Sequence, residues 1–204
     1  MPHAQPQPGL FDEPGGLPEG FAYRAELITP AEERALVGRI AGLPFRAFEF
    51  HGHLGKRRVV SFGWRYDFGA GGLQPAAPIP DFLLPLRARA AAVAGLDPDA
   101  FAHVLATEYA AGAGIGWHRD RPEFGVVAGV SLLSPCVIRL RRKDGARWRR
   151  RSFTAEPRSA YVFAGEARAE WQHSIAAVEA LRYSVTFRTL AGSEGAGAGV
   201  SAPY

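Results

Sequence analysis

The second half of the chain is a succession of short strand-like segments separated by turns. About eight strands are predicted, at residues 102–109, 115–118, 126–132, 137–142, 147–154, 160–163, 167–173 and 181–190. Helical segments come before them and not between them. This order predicts a mostly β (α+β) fold, in which a double-stranded β-helix (jelly-roll) core carries helices packed on one outer face.

Two helices are predicted ahead of the strands. Thr29 and Glu32 have the spacing of a capping box, which predicts a helix over residues 30–41. Asp81 is expected to cap a second helix, which Gly95 ends. Both helices are expected to pack against the outside of a sheet.

The composition favours one domain. With 204 residues, of which 47% are hydrophobic, the chain can bury one sizeable core. We expect this domain to cover residues 21–190. Residues 1–20 are rich in Pro and Gly and are expected to form an irregular arm, and residues 191–204 a flexible tail.

The sequence also bears on location and partners. It has no apolar run of the ~18 residues that a membrane span needs, and its N-terminus does not resemble a secretory signal. The single cysteine, Cys136, excludes an intrachain disulfide and fits a reducing cytoplasm, so we expect a cytoplasmic location. We also expect a monomer. The net charge of +4 and pI near 9.6 suggest nucleic acid as a partner. Nearly all basic residues are arginine, however, and genome composition can also produce that bias.

The last predicted strand has an unusual polar face. Alternation places Arg182, Ser184, Thr186 and Arg188 on one side and apolar residues on the other. The polar side of such a strand can face water. Alternatively, two arginines with small hydroxyl residues between them form a slot for a small dicarboxylate, because guanidinium presents paired donors to carboxylates.

A metal site is also indicated. His118 and Asp120 are two residues apart, so in an extended segment their side chains leave the same face. They provide two of the three ligands of a 2-His-1-carboxylate iron site, and the later His173 offers the third. A His-x-Asp triplet alone is a weak signal, but the arginine strand follows His173 closely.

These motifs together resemble the AlkB family of 2-oxoglutarate and Fe(II)-dependent dioxygenases. The resemblance covers residues 102–190, through the segment 107–120, His173 and the Arg-x5-Arg pattern of residues 182–188, with a weaker likeness at 56–68. It implies Fe(II), 2-oxoglutarate as cosubstrate and dioxygen.

The resemblance also implies roles for single residues. Iron would be held by His118, Asp120 and His173. The distal carboxylate of 2-oxoglutarate would meet Arg182, with help from the Tyr109 hydroxyl. Arg188 would lie nearer the iron, and Ser184 would make a lesser contact.

Two positions depart from the family pattern. Thr107 stands where the repair members usually have Asn, and a hydroxyl can replace only part of the amide's hydrogen bonding. Pro122 stands where they place an acidic residue that contacts the damaged base. Glu123 is adjacent but would need a different loop path. The departure at Pro122 puts the substrate, and not the oxygenase chemistry, in question.

Two basic regions are candidates for substrate contact. The resemblance implies a lid-like region at about 45–68, which holds a nucleotide in AlkB relatives. In it, Trp64 and Tyr66 could stack on an extruded base while Arg57 and Arg58 meet phosphates. The alternative is an ordinary strand with its aromatic residues in the core and its arginines in water.

The second region, residues 139–151, is predicted to form a hairpin with its tip at Lys143-Asp144-Gly145. Its arms, including Arg149 and Arg150, could grip a phosphate backbone. They could instead form a solvated edge that resists strand pairing.

The leading interpretation is an oxygenase that oxidatively demethylates alkylated bases in nucleic acid, as in DNA repair. Two alternatives remain open. One keeps the oxygenase chemistry but acts on a protein side chain or a small molecule. The other is a non-catalytic, basic jelly-roll module that binds nucleic acid.

Overall fold

A computed structural model describes residues 16–50, 53–67, 69 and 71–192 of the chain. The strands are β1 (Phe21–Arg24), β2 (Arg46–Phe50), β3 (His53–Phe62), β4 (Trp64–Asp67), β5 (Gly72–Pro75), β6 (His103–Tyr109), β7 (Ile115–His118), β8 (Phe124–Leu132), β9 (Cys136–Asp144), β10 (Arg147–Ala155), β11 (Ala160–Phe163), β12 (Gln172–Ile175) and β13 (Arg182–Leu190). The helices are α1 (Pro30–Ile40), α2 (Leu84–Ala94) and α3 (Gly165–Ala169), with 3-10 turns at Asp81–Leu83 and Pro98–Ala100. Most of the expected arm, residues 1–15, and most of the expected tail, residues 193–204, lie outside the described residues.

The two long helices differ in how they begin. Helix α1 has the predicted capping box, in which Thr29 Oγ1 accepts from Glu32 N and the Glu32 carboxylate accepts from Thr29 N. Asp81 instead starts a 3-10 turn, so the prediction that it caps α2 is wrong. Gly95 ends α2 with a φ of +67°, as predicted, because glycine enters the left-handed region without steric cost. None of the helices in the described ranges is long and apolar enough to cross a membrane.

The strands form two principal sheets, which confirms the predicted jelly roll. The larger sheet has seven strands in the order β1-β11-β8-β13-β6-β3-β2, and the smaller has four in the order β10-β9-β12-β7. Strands β4 and β5 form a separate two-stranded sheet. All pairings in these sheets are antiparallel.

Two apolar clusters hold these layers together. One packs α1 and α2 on the large sheet and includes Ile40, Leu86, Val185 and Phe187. The other lies between the two sheets, where Leu140 and its neighbours on the small sheet meet residues of the large one. Each of these fully buried side chains contributes roughly 1.5–3 kcal/mol through removal from water. The helices therefore cover one outer face, as predicted, and leave the space between the sheets for the site.

The segment 167–173 was predicted as a strand, and this prediction is wrong for all but its last two residues. Gly165 has a φ of +48°, which turns the chain into the short helix α3, and strand β12 begins only at Gln172. The backbone N–H of Ala167 is bonded to the carbonyl of Glu19 at 2.9 Å. The alternating pattern of this segment is thus overridden by a tertiary contact with the residues that precede β1.

Candidate metal and cosubstrate site

The three predicted metal ligands converge between the sheets. His118 on β7 and His173 on β12 are directly opposite each other in the antiparallel register, with ring centroids 4.2 Å apart. Asp120 follows β7, and its Oδ1 is 3.9 Å from His118 Nε2. One ligand atom from each residue lies within 4.8 Å of the other two, a spacing suited to a single metal ion. Two imidazoles and one carboxylate are a donor set that suits iron(II) with open coordination positions.

The surroundings set the protonation of these ligands. His118 Nδ1 is 2.9 Å from the carbonyl of Gly116, which favours a proton on Nδ1 and leaves the Nε2 lone pair free. Burial, and then the neighbouring His118, lowers the pKa of His173 to about 3, so its ring is neutral at physiological pH. Burial alone would raise the pKa of Asp120, but the adjacent charge of Arg188 holds it below its ordinary value. All three side chains are therefore ready to bind a cation.

Arg188 lies between the metal carboxylate of Asp120 and the buried His103. Its Nε lies 3.1 Å from Asp120 Oδ2 and its Nη1 3.4 Å from His103 Nδ1. His103 is 3% exposed, and burial lowers its pKa well below the usual value. A neutral His103 can accept from Arg188, so the arginine is oriented from two sides.

Arg182 lies at the other end of the slot and is fully buried. Its Nε donates to Ser131 Oγ at 3.0 Å, and its guanidinium carbon is 4.9 Å from the centre of the Tyr109 ring. Both terminal nitrogens, Nη1 and Nη2, lack a hydrogen-bond partner among the described residues. An unpartnered buried charge is costly, so the pocket is built to receive an anion. A carboxylate that accepts from both nitrogens, as the distal group of 2-oxoglutarate can, fits this need.

Strand register brings the remaining cosubstrate candidates to the same place. On β13 and β6, Arg182 is opposite Tyr109 and Ser184 is opposite Thr107, and all four are nearly or fully buried. The polar face of β13 is therefore turned inward, which excludes the solvated alternative. The structure brings these residues together as the resemblance implies.

A family model described as the 2OG-Fe(II) oxygenase superfamily matches residues 54–188. The chain belongs to this superfamily. Its members use Fe(II), 2-oxoglutarate and dioxygen, and the two sets of residues described above fit the first two. This membership and the two candidate sites favour a 2-oxoglutarate-dependent dioxygenase over a non-catalytic module.

The resemblance to AlkB proteins is also confirmed. The oxygenase is 25% identical over 190 residues to the alkylated DNA repair protein ALKBH8 homolog of Arabidopsis thaliana. This alignment covers 81% of the chain and 53% of the relative, so the chain spans about half the length of that protein. The structure of OsALKBH1 shares the fold with a TM-score of 0.66 at 15% identity, covering 86% of this chain and 100% of that one.

Oxygenases outside the AlkB group share the fold as well. A Pseudomonas putida prolyl-4-hydroxylase has a TM-score of 0.56 at 15% identity, with 84% of this chain and 92% of that chain covered. A 2OG-Fe(II) oxygenase family protein from Burkholderia pseudomallei has a TM-score of 0.56 at 16% identity, with 84% of each chain covered. These two likenesses concern the fold alone.

The lid-like residues divide between the two faces of the large sheet. Arg57 is opposite Tyr109 in the β3–β6 register and so shares its inward face. Arg58 is opposite Glu108 on the other face and forms a bidentate ion pair with it, at 2.7 and 2.9 Å. The structure therefore brings Arg57, but not Arg58, to the side of the sheet that carries the site.

The aromatic candidates lie on β4, outside the large sheet. The guanidinium carbon of Arg121 is 3.5 Å from the centre of the Tyr66 ring, which places Tyr66 beside the residue that follows Asp120. Trp64 is two residues away on the same strand and is half-buried. In the loop between β7 and β8, Pro122 is exposed. Glu123 Oε2 in the same loop is buried with no hydrogen-bond partner among the described residues.

The predicted hairpin exists as β9 and β10. Its turn is Gly145-Ala146 and not the predicted Lys143-Asp144-Gly145, because Lys143 and Asp144 are still paired with β10. Gly145 has the positive φ of +56° that the first central residue of a type II′ turn needs. Arg149 is ion-paired with Asp144 at 3.1 Å, whereas Arg150 is exposed on the opposite face of the hairpin.

Three residues that support the site were missed in the sequence. Arg168 on α3 donates to the carbonyls of Arg121 and Phe124 at 2.6 Å and of Gly125 at 2.9 Å, and so holds the loop after Asp120. Ser131 and His103 orient the two arginines of β13. No local pattern marks these residues, because each acts through a partner that is distant in the sequence.

Proposed function

We propose that the oxygenase removes alkyl groups from bases of nucleic acid by oxidation. The observation that carries the proposal is the position of Tyr66 and Arg121, a stacked aromatic and cation immediately beside the metal aspartate. Aromatic faces next to basic groups are what an extruded base and its phosphates need. The Arabidopsis thaliana relative, whose name describes alkylated DNA repair, supports the same substrate class.

In this proposal, the residues of the chain have separate tasks. His118, Asp120 and His173 hold iron, and Arg182 binds the distal carboxylate of 2-oxoglutarate with Tyr109 beside it. The bound metal and cosubstrate supply oxidation of a C–H bond, with 2-oxoglutarate and dioxygen converted into succinate, carbon dioxide and one transferred oxygen atom. Oxidation of a methyl group on a base nitrogen gives a hydroxymethyl group that leaves as formaldehyde.

The other residues position these groups. Arg188 holds Asp120 and lies towards the iron end of the cosubstrate, while Ser184 and Thr107 line the slot between the arginines. Arg57 lies on the same face as Tyr109 and is half-buried, where it can meet the substrate. Trp64 and Tyr66 provide the stacking surface.

The single cysteine, Cys136, is buried as a free thiol and supports a cytoplasmic location.

The test is succinate formation by anaerobically purified protein, started with oxygen, Fe(II) and 2-oxoglutarate. It is run with methylated and unmethylated single-stranded oligonucleotides of the same sequence, and with His118→Ala as the inactive control. We expect succinate to rise with the methylated strand only, together with formaldehyde. Succinate that no nucleic acid increases would contradict the proposal while leaving the oxygenase class intact.

Pro122 favours one second candidate, oxidation of a protein side chain or small molecule. This exposed proline offers no acidic group for a damaged base. A peptide or metabolite that stimulates succinate formation, where methylated oligonucleotides do not, would identify this alternative.

A further inference from the structure

Strand alternation sorts the basic residues of the β9–β10 hairpin into two groups. Residues directly opposite in an antiparallel pair share a face, so Arg141 and Arg150 lie together, as do Lys143 and Trp148. This side, which we call the outer face, points away from buried Leu140 and thus away from the space between the sheets. It carries four cations: Arg139, Arg141, Lys143 and Arg150.

The two groups differ in their charge partners. On the inward side, Arg142 Nη1 lies 2.9 Å from Glu166 and 2.8 Å from Glu170, and Arg149 pairs with Asp144. In contrast, none of the four outer-face cations has a carboxylate partner within the described part of the chain. The outer face therefore carries positive charge without a carboxylate counterion among the described residues, whereas Arg142 and Arg149 on the other side are ion-paired.

Two tryptophans from different strands frame this charge. The guanidinium carbon of Arg141 is 4.3 Å from the centre of the Trp117 ring and 4.4 Å from that of Trp148. Its Nε donates to Gln172 Oε1 at 2.7 Å, and the Nε of Arg139 donates to Ser174 Oγ at 3.1 Å. Neutral acceptors thus hold both guanidinium groups by one nitrogen each without cancelling their charge.

We propose that the outer face binds a single strand of nucleic acid, with its phosphates on the four cations and its bases against the tryptophans. A polyanion gains most from cations that have no internal counterion, and sequence-independent strand binding combines such cations with aromatic faces. Arg139, Arg141 and Lys143 alternate along β9 and are separated by about 6.8 Å each. This separation is comparable with that of successive phosphates on an extended strand.

The outer face is linked to the candidate metal site through shared strands. Trp117 immediately precedes His118, and Gln172 immediately precedes His173. Because successive side chains of a strand alternate, Trp117 and Gln172 point outward while the two histidines point inward. Strand β7 is an edge of the small sheet. A nucleic-acid strand whose target base lies at the metal can therefore pass around this sheet edge and place its flanking nucleotides on the outer face. This inference deepens the proposed function by assigning the flanking strand a surface.

The test measures binding of an unmodified, labelled oligonucleotide of about 15 nucleotides, as DNA and as RNA, by fluorescence anisotropy. The outer-face variant is Arg139→Gln/Arg150→Gln. The control, Arg89→Gln/Arg149→Gln, removes the same charge from two arginines that are ion-paired with Glu32 and Asp144. We expect about tenfold weaker binding for the outer-face variant and a salt dependence shallower by about 1.4 in the log–log slope. The control should stay within about twofold.

Tryptophan fluorescence gives a second, independent measurement. If the nucleic-acid strand lies on the outer face, Trp148→Phe should remove part of the quenching that binding causes, while Trp171→Phe, at a tryptophan that is 3% exposed, should retain it. Quenching that Trp148→Phe leaves unchanged would overturn the inference, as would equal affinity of the two double variants. If the outer-face variant unfolds at a lower temperature than the control, the single change Lys143→Gln, at an exposed side chain, replaces it.

The outcomes separate this inference from the proposed function. Loss of affinity in the outer-face variant, with no formaldehyde from any methylated strand, supports the surface and contradicts the demethylase. Formaldehyde release by the wild type, with unchanged affinity in the outer-face variant, supports the demethylase and contradicts the surface.

Discussion

Arg188 and Asp120 form a buried two-point ion pair, with Nε–Oδ2 at 3.1 Å and Nη2–Oδ1 at 3.5 Å. Their side chains are 10% and 8% exposed. The pair ties β13 to the loop that follows β7 and fixes the orientation of the metal carboxylate. The hydrogen-bonded fork of arginine is needed for this, because lysine offers a point charge only.

Arg188→Lys should therefore weaken Fe(II) binding by about 10- to 100-fold, the usual cost of losing a residue that orients a metal ligand. Anaerobic titration with Fe(II) measures this. Arg87→Lys is a matched control, since Arg87 pairs with Asp99 in α2 and the adjoining turn, away from the site. Equal affinity of wild type and Arg188→Lys would remove the ion pair from the metal site.

Arg182→Met tests the anion slot. Without cosubstrate, the variant should be as stable as wild type or more stable by about 1–4 kcal/mol, since an unpartnered buried charge is replaced by an apolar side chain. In wild type, 2-oxoglutarate at 100 times its Kd should raise the free energy of unfolding by about 2.7 kcal/mol. Urea unfolding with and without 2-oxoglutarate gives both values. Retained stabilisation by 2-oxoglutarate in the variant would place the distal carboxylate elsewhere.

Arg168→Gln should loosen the loop that carries Asp120, because three backbone carbonyls lose a charged donor. Weaker Fe(II) binding, with hydrogen exchange faster at residues 121–125, is the expected result. Arg119→Gln is the comparison, since Arg119 makes one bond from the same loop to the carbonyl of Ala169. If the two variants behave alike, the contacts of Arg168 have no special role.

Gly129→Ala should destabilise the protein by about 1–3 kcal/mol through overpacking. A Cβ at this position would lie 2.3 Å from Cζ and 2.5 Å from the hydroxyl oxygen of Tyr161. Burial raises the pKa of Tyr161 to about 12, against the opposing charge of Arg182. In a double-mutant cycle, Tyr161→Leu should remove most of the cost of Gly129→Ala. Additive effects would show that the clash is relieved by some other movement.

The metal-free protein should lose stability in mild acid. The pKa of His173 is near 6.5 in the unfolded chain and about 3 in the folded one. Below pH 6.5 the unfolded state binds a proton that the folded state does not, so the free energy of unfolding falls as pH decreases towards 3. At pH 5 the loss from His173 is about 2 kcal/mol. Above pH 6.5 this group has no effect.

Urea unfolding at pH 7 and pH 5 measures that loss, and His173→Asn should reduce it. His103 contributes in the same direction, because its pKa is also lowered by burial. His103→Asn therefore gives a separate decrement. A pH dependence that neither substitution changes would contradict the buried neutral state of both rings.

Much of the candidate site could be predicted from local spacing. The two-residue interval of His118 and Asp120 and the alternation along β13 depend only on strand geometry, and both survive in the structure. The segment 167–173 could not be predicted this way, since its alternating pattern gives way to α3 through a bond from Ala167 to Glu19.

The predictions about basic residues were the least determined by sequence. Arg58 and Arg149 were candidates for phosphate contact on their residue type, but the fold supplies each with a carboxylate, Glu108 and Asp144. Glu108 lies fifty positions from Arg58 in the chain. Whether an arginine is available to bind a partner depends on whether the strand register places an acidic residue beside it. Sequence patterns do not contain that register.

By itself, the sequence determined the strand-rich fold, the spacing of the candidate metal ligands His118 and Asp120 and the separate polar face of the last strand, because backbone periodicity acts over a few residues. Only the tertiary structure decided that this polar face is turned inward, and that His103, Ser131 and Arg168 position the two arginines of β13 and the loop after Asp120. It also decided that the cations on one face of the β9–β10 hairpin have no carboxylate partner among the described residues. These properties arise from antiparallel pairing between segments tens of residues apart. The free energy of a buried charge is set by its neighbours in space, and the chain brings those neighbours together only when it folds.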